Sequence, residues 1–116
     1  MAAPVDIPAL AEDLLDIAVA SEHGRAAELA VHDGPLRQTV IALTEGTRLA
    51  EHNSPPAASL QVLVGRVRVE QGDAPATDIV AGHLLELTHE RHAVLALEDS
   101  AFLLTTVTSV DIPSHG

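Results

Sequence analysis

Two histidines stand where predicted strands meet loops, and they are the side chains of this chain best suited to bind a ligand. His52 ends the stretch GTRLAEH (46–52), which a Pro-rich turn and a strand closed by Gly65 follow. His92 lies at a similar strand edge in a second block, residues 82–97. Neutral imidazole titrates near pH 6.5, so it can move protons or bind a metal at physiological pH. We predict that the two blocks face each other across a small β-barrel.

One helix and eight or nine short strands must position these histidines. Helical spacing of Leu10, Leu14 and Ile17, with Ala11 and Ala18 on the same side, predicts a helix over about 8–20. After Gly24 the period becomes strand-like, and turn residues separate nearly every pair of predicted strands. These are 25–32, 36–43, 47–52, 59–64, 66–70, 77–80, 83–87, 93–97 and 101–107.

Short strands at such regular spacing are typical of an antiparallel β-barrel or a double-sheet jelly roll. We therefore predict an all-β fold with one N-terminal helix. The predicted organisation is an N-terminal segment (1–24), a barrel domain (25–110) and a flexible tail (111–116).

Composition argues against several classes of partner. The 116 residues carry 17 acidic and 6 basic side chains, a formal net charge of -11, and no cysteine. Nucleic acids need a basic surface, and Phe102 is the only aromatic ring on which a base could stack. We predict no nucleic-acid partner, and the same charge disfavours anionic membrane surfaces. Without cysteine, disulfides and thiolate chemistry are excluded.

The chain has neither a long apolar run nor a signal-like start. No stretch of eighteen apolar residues occurs, and the first residues carry Asp6, Glu12 and Asp13 instead of a basic region. These features predict a cytoplasmic protein. The alanine-rich, lysine-free composition indicates a bacterial source.

The two histidine blocks resemble the two sequence motifs of the cupin superfamily, over roughly residues 36–107. In the first block, Gly46 is followed by five residues and then His52, and Gly65 closes the motif. In the second block, Gly82 precedes His92 at a spacing within the family's variation. The likeness is to small single-domain bacterial cupins in particular.

Three positions depart from the usual cupin pattern. Ser54 stands at the second histidine of the first motif, and Ala58 stands at its glutamate. Thr88 replaces the proline of the second motif. The motifs of this chain are therefore degenerate, and two of the four usual metal ligands are missing.

The resemblance implies a metal centre of histidines and a carboxylate that holds iron, manganese, nickel or zinc. By this resemblance His52 and His92 keep ligand positions. His89 and Gln61 are the candidates to complete the site. The alternative is a metal-free histidine pair that is hydrogen-bonded inside or at the mouth of the barrel.

Taken together, these features predict a small-molecule pocket inside the barrel, with or without a divalent metal. Polar atoms would come from His52, Gln61 and His92. The predicted aliphatic lining is Leu60, Val62, Leu85, Val94 and Leu104. Two alternatives remain: a metal-dependent enzyme of dioxygenase or isomerase type, and a non-catalytic sensor or interaction module.

Outward-facing residues lead to two further predictions. Ile41, Leu49 and Leu97 are assigned to the outside of the barrel, where apolar residues need a cover, so we predict a homodimer. Arg66 and Arg68 alternate with inward valines and are predicted to pair with surface acids.

Overall fold

The computed structural model describes residues 3–50 and 55–108, and these residues form one α-helix and nine strands. None of the described helices is long and apolar enough to cross a membrane. The elements are α1 (Ile7–Ala20), β1 (Arg25–Asp33), β2 (Leu36–Leu43), β3 (Arg48–Ala50), β4 (Ala57–Val64), β5 (Arg66–Gln71), β6 (Thr77–Val80), β7 (Leu84–Leu87), β8 (His92–Ala96) and β9 (Ser100–Val107).

Helix α1 begins and ends at capping residues. The Asp6 carboxylate accepts a hydrogen bond from the backbone N–H of Ala9 at 3.1 Å, and Pro8 lies in the first turn. At the other end, the N–H of Ser21 donates to the carbonyl of Ala18 at 3.1 Å. The helix therefore begins one residue before the predicted position and ends at the predicted one.

The buried face of α1 is made by small residues around one leucine. Ala11 and Ala18 are 0% exposed and Leu14 is 4% exposed, whereas Ile17 is 56% exposed. The assignment of Ile17 to the buried face was wrong. Ala11 and Ala18, which flank Leu14, let the helix lie close to the sheet. Ile17 directly precedes Ala18, and successive helical residues differ in direction by about 100°. Ile17 is consequently turned toward solvent.

The nine strands form two antiparallel sheets. The strand order is β1-β2-β9-β4-β7 in the five-stranded sheet and β3-β8-β5-β6 in the four-stranded sheet. The prediction of an all-β jelly roll with one N-terminal helix is confirmed. It takes the double-sheet form, because no pairing of described strands joins one sheet to the other.

Two cores lie on either side of the five-stranded sheet. The inter-sheet core contains Ile41, Leu43, Leu60, Val62, Val67, Val69, Ile79, Leu87, Val94, Ala96 and Phe102. The core under the helix contains Ala11, Leu14, Ala18, Val40, Ala42 and Ala101. Both faces of this sheet are thus covered over much of its area.

Because both faces are covered, strand β2 is buried on its two sides. Ile41 is 8% exposed in the inter-sheet core, and Leu49 packs against that core from the facing sheet. The prediction that Ile41 and Leu49 face outward was therefore wrong. The two sheets bury these two side chains against each other, so of the three residues only half-buried Leu97 still supports a dimer.

The outer face of the four-stranded sheet carries ion pairs. Arg68 donates to both carboxylate oxygens of Asp78, at 2.7 Å and 3.1 Å, across the register of β5 and β6. Arg48 and Glu70 form a second pair, at 2.5 Å. The prediction that Arg68 pairs with a surface acid is confirmed, and the inward placement of Val67 and Val69 is confirmed by their burial.

The Arg68–Asp78 pair should make stability depend on pH. The hydrogen bond from Arg68 lowers the pKa of Asp78 below its ordinary value of 3.8. A lowered folded-state pKa stabilises the fold above the unfolded-state pKa, and this contribution is lost as pH falls through the folded value. Asp78→Asn should therefore unfold at lower urea than the wild type at pH 7, and the difference should shrink below pH 3.8.

Far-UV circular dichroism is the suitable readout for this experiment, because the chain has no tryptophan or tyrosine. Asp73→Asn, which alters a neighbouring exposed loop, serves as the control. A difference between Asp78→Asn and the wild type that is constant from pH 7 to pH 3 would contradict the expectation.

Candidate functional site

The inter-sheet core is closed at one end of the sandwich and opens toward the other. Along β2, the residues that face the core change from fully buried Leu43 to half-buried Thr39 and exposed Arg37. Along β9, the same change runs from fully buried Phe102 to half-buried Thr106. The exposure of the core-facing residues therefore increases toward this second end.

We call this second end the open end and define it by Ala58, Thr106, Gln71 and His92. Ala58 and Thr106 are register partners on β4 and β9. Strand β5 starts at the closed end, next to Ser100, and runs to Gln71, which pairs in register with His92. The core-facing residues at this end are therefore polar in both sheets: Thr106 in the five-stranded sheet, and Gln71 and His92 in the four-stranded sheet.

His92 is the buried polar residue of the open end. It is the first residue of β8, it is 4% exposed, and it lies on the same face as Val94 and Ala96 of the core. Its Nδ1 and Nε2 atoms are both buried, and neither has a hydrogen-bond partner among the described residues. A buried polar group without a partner costs about 1–3 kcal/mol, so this ring is adapted to a partner outside the described protein atoms.

Backbone and side-chain hydrogen bonds hold the loop that leads into His92. The N–H of Gly72 donates to the carbonyl of Arg91 at 3.1 Å, and the Gln71 side-chain carbonyl accepts from the N–H of Thr88 at 2.6 Å. Gly72 has a φ of +54°, and the Glu90 carboxylate occupies the space where a Cβ would stand. The loop is therefore fixed at both of its ends.

Of the other predicted ligands, the structure describes His89 and Gln61. His89 is exposed in the loop between β7 and β8. Gln61 pairs with Leu103 and lies on the helix-side face of β4, whereas its neighbours Leu60 and Val62 face the inter-sheet core. His52 lies outside the described residues.

The predicted aliphatic lining belongs to the inter-sheet core. Leu60, Val62 and Val94 are at most 2% exposed and form the packed part of the interior. Leu85 and Leu104 are only partly buried and pack against this core. Leu104 is the core-facing residue next to Thr106 on β9, so it lies near the open end.

The described donors do not by themselves fit a divalent transition metal. No three histidine, aspartate or glutamate side chains of the described ranges (3–50 and 55–108) lie close enough together to hold one ion. Protein sites for such metals use three or four side-chain ligands. Among the described ligand candidates only His92 is buried, and a single imidazole does not hold such an ion.

Gln71 and Thr88 are the residues of this site that the sequence interpretation missed. The predicted strand, 66–70, stops one residue short of Gln71, which is the last residue of β5. A signal was present, because Gln71 continues the alternation that places Val67 and Val69 inward. A polar residue at an inward strand position could have identified it.

Comparisons with known proteins support the fold. The sequence matches no protein-family model and no curated protein. Among solved structures, it is similar to a cupin superfamily protein from Desulfitobacterium hafniense, with a TM-score of 0.75, 16% identity and 94% of each chain covered. It is also similar to KdgF from Halomonas sp., with a TM-score of 0.63, 19% identity, and 78% of this chain and 87% of that chain covered.

A third similar structure is the salicylate 1,2-dioxygenase from Pseudaminobacter salicylatoxidans. The TM-score is 0.71 and the identity 15%, and the match covers 85% of this chain but 33% of the dioxygenase. The TM-scores establish the architecture. Identities this low carry no information about the activity. The two antiparallel sheets, the N-terminal helix and these similarities together show that the chain is a small cupin-fold protein.

Proposed function

We propose that this protein binds a small molecule at the open end of its inter-sheet core, with His92 as the polar anchor. The observation that carries the proposal is the burial of both ring nitrogens of His92 without a partner among the described residues. Small-molecule sites are mostly apolar and contain a few convergent polar groups. An aliphatic interior with one buried imidazole at its open end matches that description.

The imidazole ring gives the site a defined recognition chemistry. A neutral histidine donates one hydrogen bond and accepts another. A ligand that satisfies either nitrogen removes part of the cost of burying the ring, so binding gains free energy from a group that is already in place. Leu104 and Val94 provide apolar contact on the inward face.

The test is a thermal-stability screen with a matched pair of variants. Wild type, His92→Leu and His89→Ala are heated with small aliphatic acids, ketones, alcohols and amides, and with divalent metals. Compounds that raise the melting temperature of the wild type and of His89→Ala should have no effect on His92→Leu. Equal stabilisation of His92→Leu would refute the proposal.

In the absence of ligand, His92→Leu should increase the free energy of unfolding by about 1–3 kcal/mol. The reason is that an unpaired buried polar ring is replaced by an apolar side chain that needs no partner. Urea unfolding followed by circular dichroism measures the change. His83→Leu, at an exposed position just before β7, should change stability by less than about 0.5 kcal/mol.

A loss of stability in His92→Leu would show that the ring is hydrogen-bonded in the free protein. A gain in stability together with a loss of ligand binding would mark His92 as a functional residue, kept at a cost to stability.

A metal held by His52 and His92 is the second candidate, and it would make the protein a metal-dependent enzyme of dioxygenase or isomerase type. The similarity to a dioxygenase fold favours it. The test is the metal content of untagged protein purified without chelator, beside a His52→Ala, His92→Ala double variant. Near-stoichiometric metal that is lost in the variant would support the enzyme.

No binding of iron, manganese, nickel or zinc would leave metal-free binding of a small molecule. Ligand binding without turnover would then correspond to the third candidate, a sensor or interaction module.

We also propose that the protein forms a homodimer through the edge strand β1. This nine-residue strand pairs only with β2 among the described strands, and Leu29 at its centre is 46% exposed. Antiparallel pairing of two copies about Leu29 places Arg25 of one copy opposite Asp33 of the other. Sedimentation equilibrium should give twice the chain mass, and a single-chain mass at micromolar concentration would exclude the dimer.

A further inference from the structure

We infer that Gln71 and His92 together recognise a carbonyl or carboxylate oxygen on an aliphatic ligand. This inference rests on the proposed function, because it names the chemistry that the same open end selects. It adds Gln71 as a specificity-determining residue, because the orientation of its amide determines which ligand atoms the side chain can bind.

The two side chains are neighbours on one face of the four-stranded sheet. Gln71 on β5 and His92 on β8 are register partners in an antiparallel pair. Side chains of directly opposed residues have Cβ atoms about 4.5–5.5 Å apart. Val67 and Val69 precede Gln71 on the same face, and both belong to the inter-sheet core, so Gln71 continues the inward-facing row.

A hydrogen bond determines which end of the Gln71 amide is available. The side-chain carbonyl oxygen of Gln71 accepts from the backbone N–H of Thr88 at 2.6 Å. A backbone N–H can only donate, so the oxygen, and not the NH₂ group, must face Thr88. The NH₂ group is the other end of the amide, and it offers donors only.

This orientation favours one class of ligand atom. A carbonyl or carboxylate oxygen has two lone pairs and can accept from the Gln71 NH₂ group and from the His92 N–H together. A ligand group that only donates can use no more than the single lone pair of neutral His92, and it leaves the amide unpaired. The pair therefore selects oxygen acceptors.

The surroundings indicate an aliphatic body for the ligand. The inward neighbours of the pair are Val69, Val94 and Leu104. Phe102, the only aromatic residue, is 0% exposed in the core and offers no stacking surface. Contact with the ligand would come from branched aliphatic side chains.

The pair is also held in place before a ligand arrives. The Gln71 amide links β5 to the loop that follows β7, and Gly72 binds the Arg91 carbonyl on the other side of that loop. Groups that are already oriented lose little conformational entropy on binding. Gln71 is thus a positioning residue for the loop and a direct contact for the ligand.

Nuclear magnetic resonance can test this recognition directly. The probes are sodium pentanoate, 2-pentanone and pentylammonium chloride, which share a short aliphatic chain. We expect saturable shifts of the Gln71 NH₂ and His92 ring signals with pentanoate or 2-pentanone, and none with pentylammonium. The tighter of the two oxygen probes shows whether the ligand group is a carboxylate or a neutral carbonyl.

Gln71→Glu is the decisive variant. A glutamate keeps the oxygen that accepts from Thr88 and keeps the side-chain length, but it removes the NH₂ donors and adds negative charge. We expect the affinity for the tighter of the two oxygen probes to fall at least tenfold, and the affinity for uncharged 2-pentanone to fall as well, while the Thr88 amide stays protected from hydrogen exchange. Gln38→Glu, on the opposite face of the five-stranded sheet, is the matched control and should bind like the wild type.

The outcomes separate this inference from the proposed function. Equal binding by Gln71→Glu and wild type, or equal shifts with pentylammonium, would overturn the role of Gln71 and leave His92 as the anchor. No shift at His92 or Gln71 with either oxygen probe would overturn the assigned ligand class. The thermal-stability screen of His92→Leu then judges the proposed function independently.

Discussion

Gly65→Ala is expected to destabilise the protein by roughly 3–5 kcal/mol, in the upper range for a single substitution. Gly65 joins β4 to β5 with a φ of +82°, a conformation that favours glycine. An added Cβ would lie 2.5 Å from the carbonyl oxygen of Asp99 and in steric overlap with the Ser100 hydroxyl. The backbone at the start of β9 would have to shift.

Such a shift would disturb a buried hydrogen-bond group at the closed end. The fully buried Ser100 hydroxyl accepts from the N–H of Arg66 at 3.0 Å and lies 2.7 Å from the carbonyl of Glu98, to which it donates. Moving Ser100 would leave buried backbone groups unpaired. Each unpaired group adds about 1–3 kcal/mol to the loss.

Gly82→Ala is the matched control for this prediction. Gly82 has a similar φ of +88°, but no atom of the described residues lies within 4 Å of the position that an added Cβ would take. Its substitution should cost only the backbone strain, about 1–2 kcal/mol. Urea unfolding of the two variants separates the effects, and equal losses would show that crowding at Ser100 is not the cause.

Phe102→Ala should cost about 3–5 kcal/mol, a large part of the roughly 5–15 kcal/mol that stabilises an ordinary domain. Phe102 is 0% exposed and is the largest fully buried side chain of the described residues. In the register of the five-stranded sheet it lies between Ile41 of β2 and Val62 of β4, and all three contribute to the inter-sheet core. Its removal leaves a cavity that neighbouring strands cannot fill.

Urea unfolding by circular dichroism also measures this loss. Phe102→Leu should cost less, because leucine leaves a smaller cavity. Leu84→Ala, at a position 67% exposed on an edge strand, should change stability by less than about 0.5 kcal/mol. A loss for Phe102→Ala as small as that for Leu84→Ala would contradict the packing of this core.

The strand alternation and the helix capping were predictable because both depend on local physics. Val67 and Val69 alternate with Arg66 and Arg68, and such a period of two places successive side chains on opposite faces. Asp6 ahead of the helix predicts a cap from side-chain chemistry alone. The same alternation argues against Gln61 as a partner of His92, because Leu60 and Val62 take the inward positions beside it.

Predictions that required a knowledge of which faces are covered were less successful. Ile41 and Leu49 follow the predicted alternation along their strands. The face that was expected to be exposed is covered by the opposite sheet and forms the inter-sheet core. Ile17 belongs to the apolar side of the helix by period, but Ala11 and Ala18 offer a closer approach to the sheet. Burial depends on the partner surface, and no local pattern contains that information.

The candidate site was likewise predictable from the sequence only in part. Strand period and turn chemistry act over a few residues, so they predicted the all-β fold, a histidine at the start of β8 and an aliphatic interior. The resemblance of the two histidine blocks to known motifs added the cupin superfamily. The pairing of β5 with β8 placed Gln71 beside His92, and the bond to Thr88 oriented its amide. Those contacts join residues about twenty positions apart, so they arise from the packing of strands and not from any short stretch of sequence.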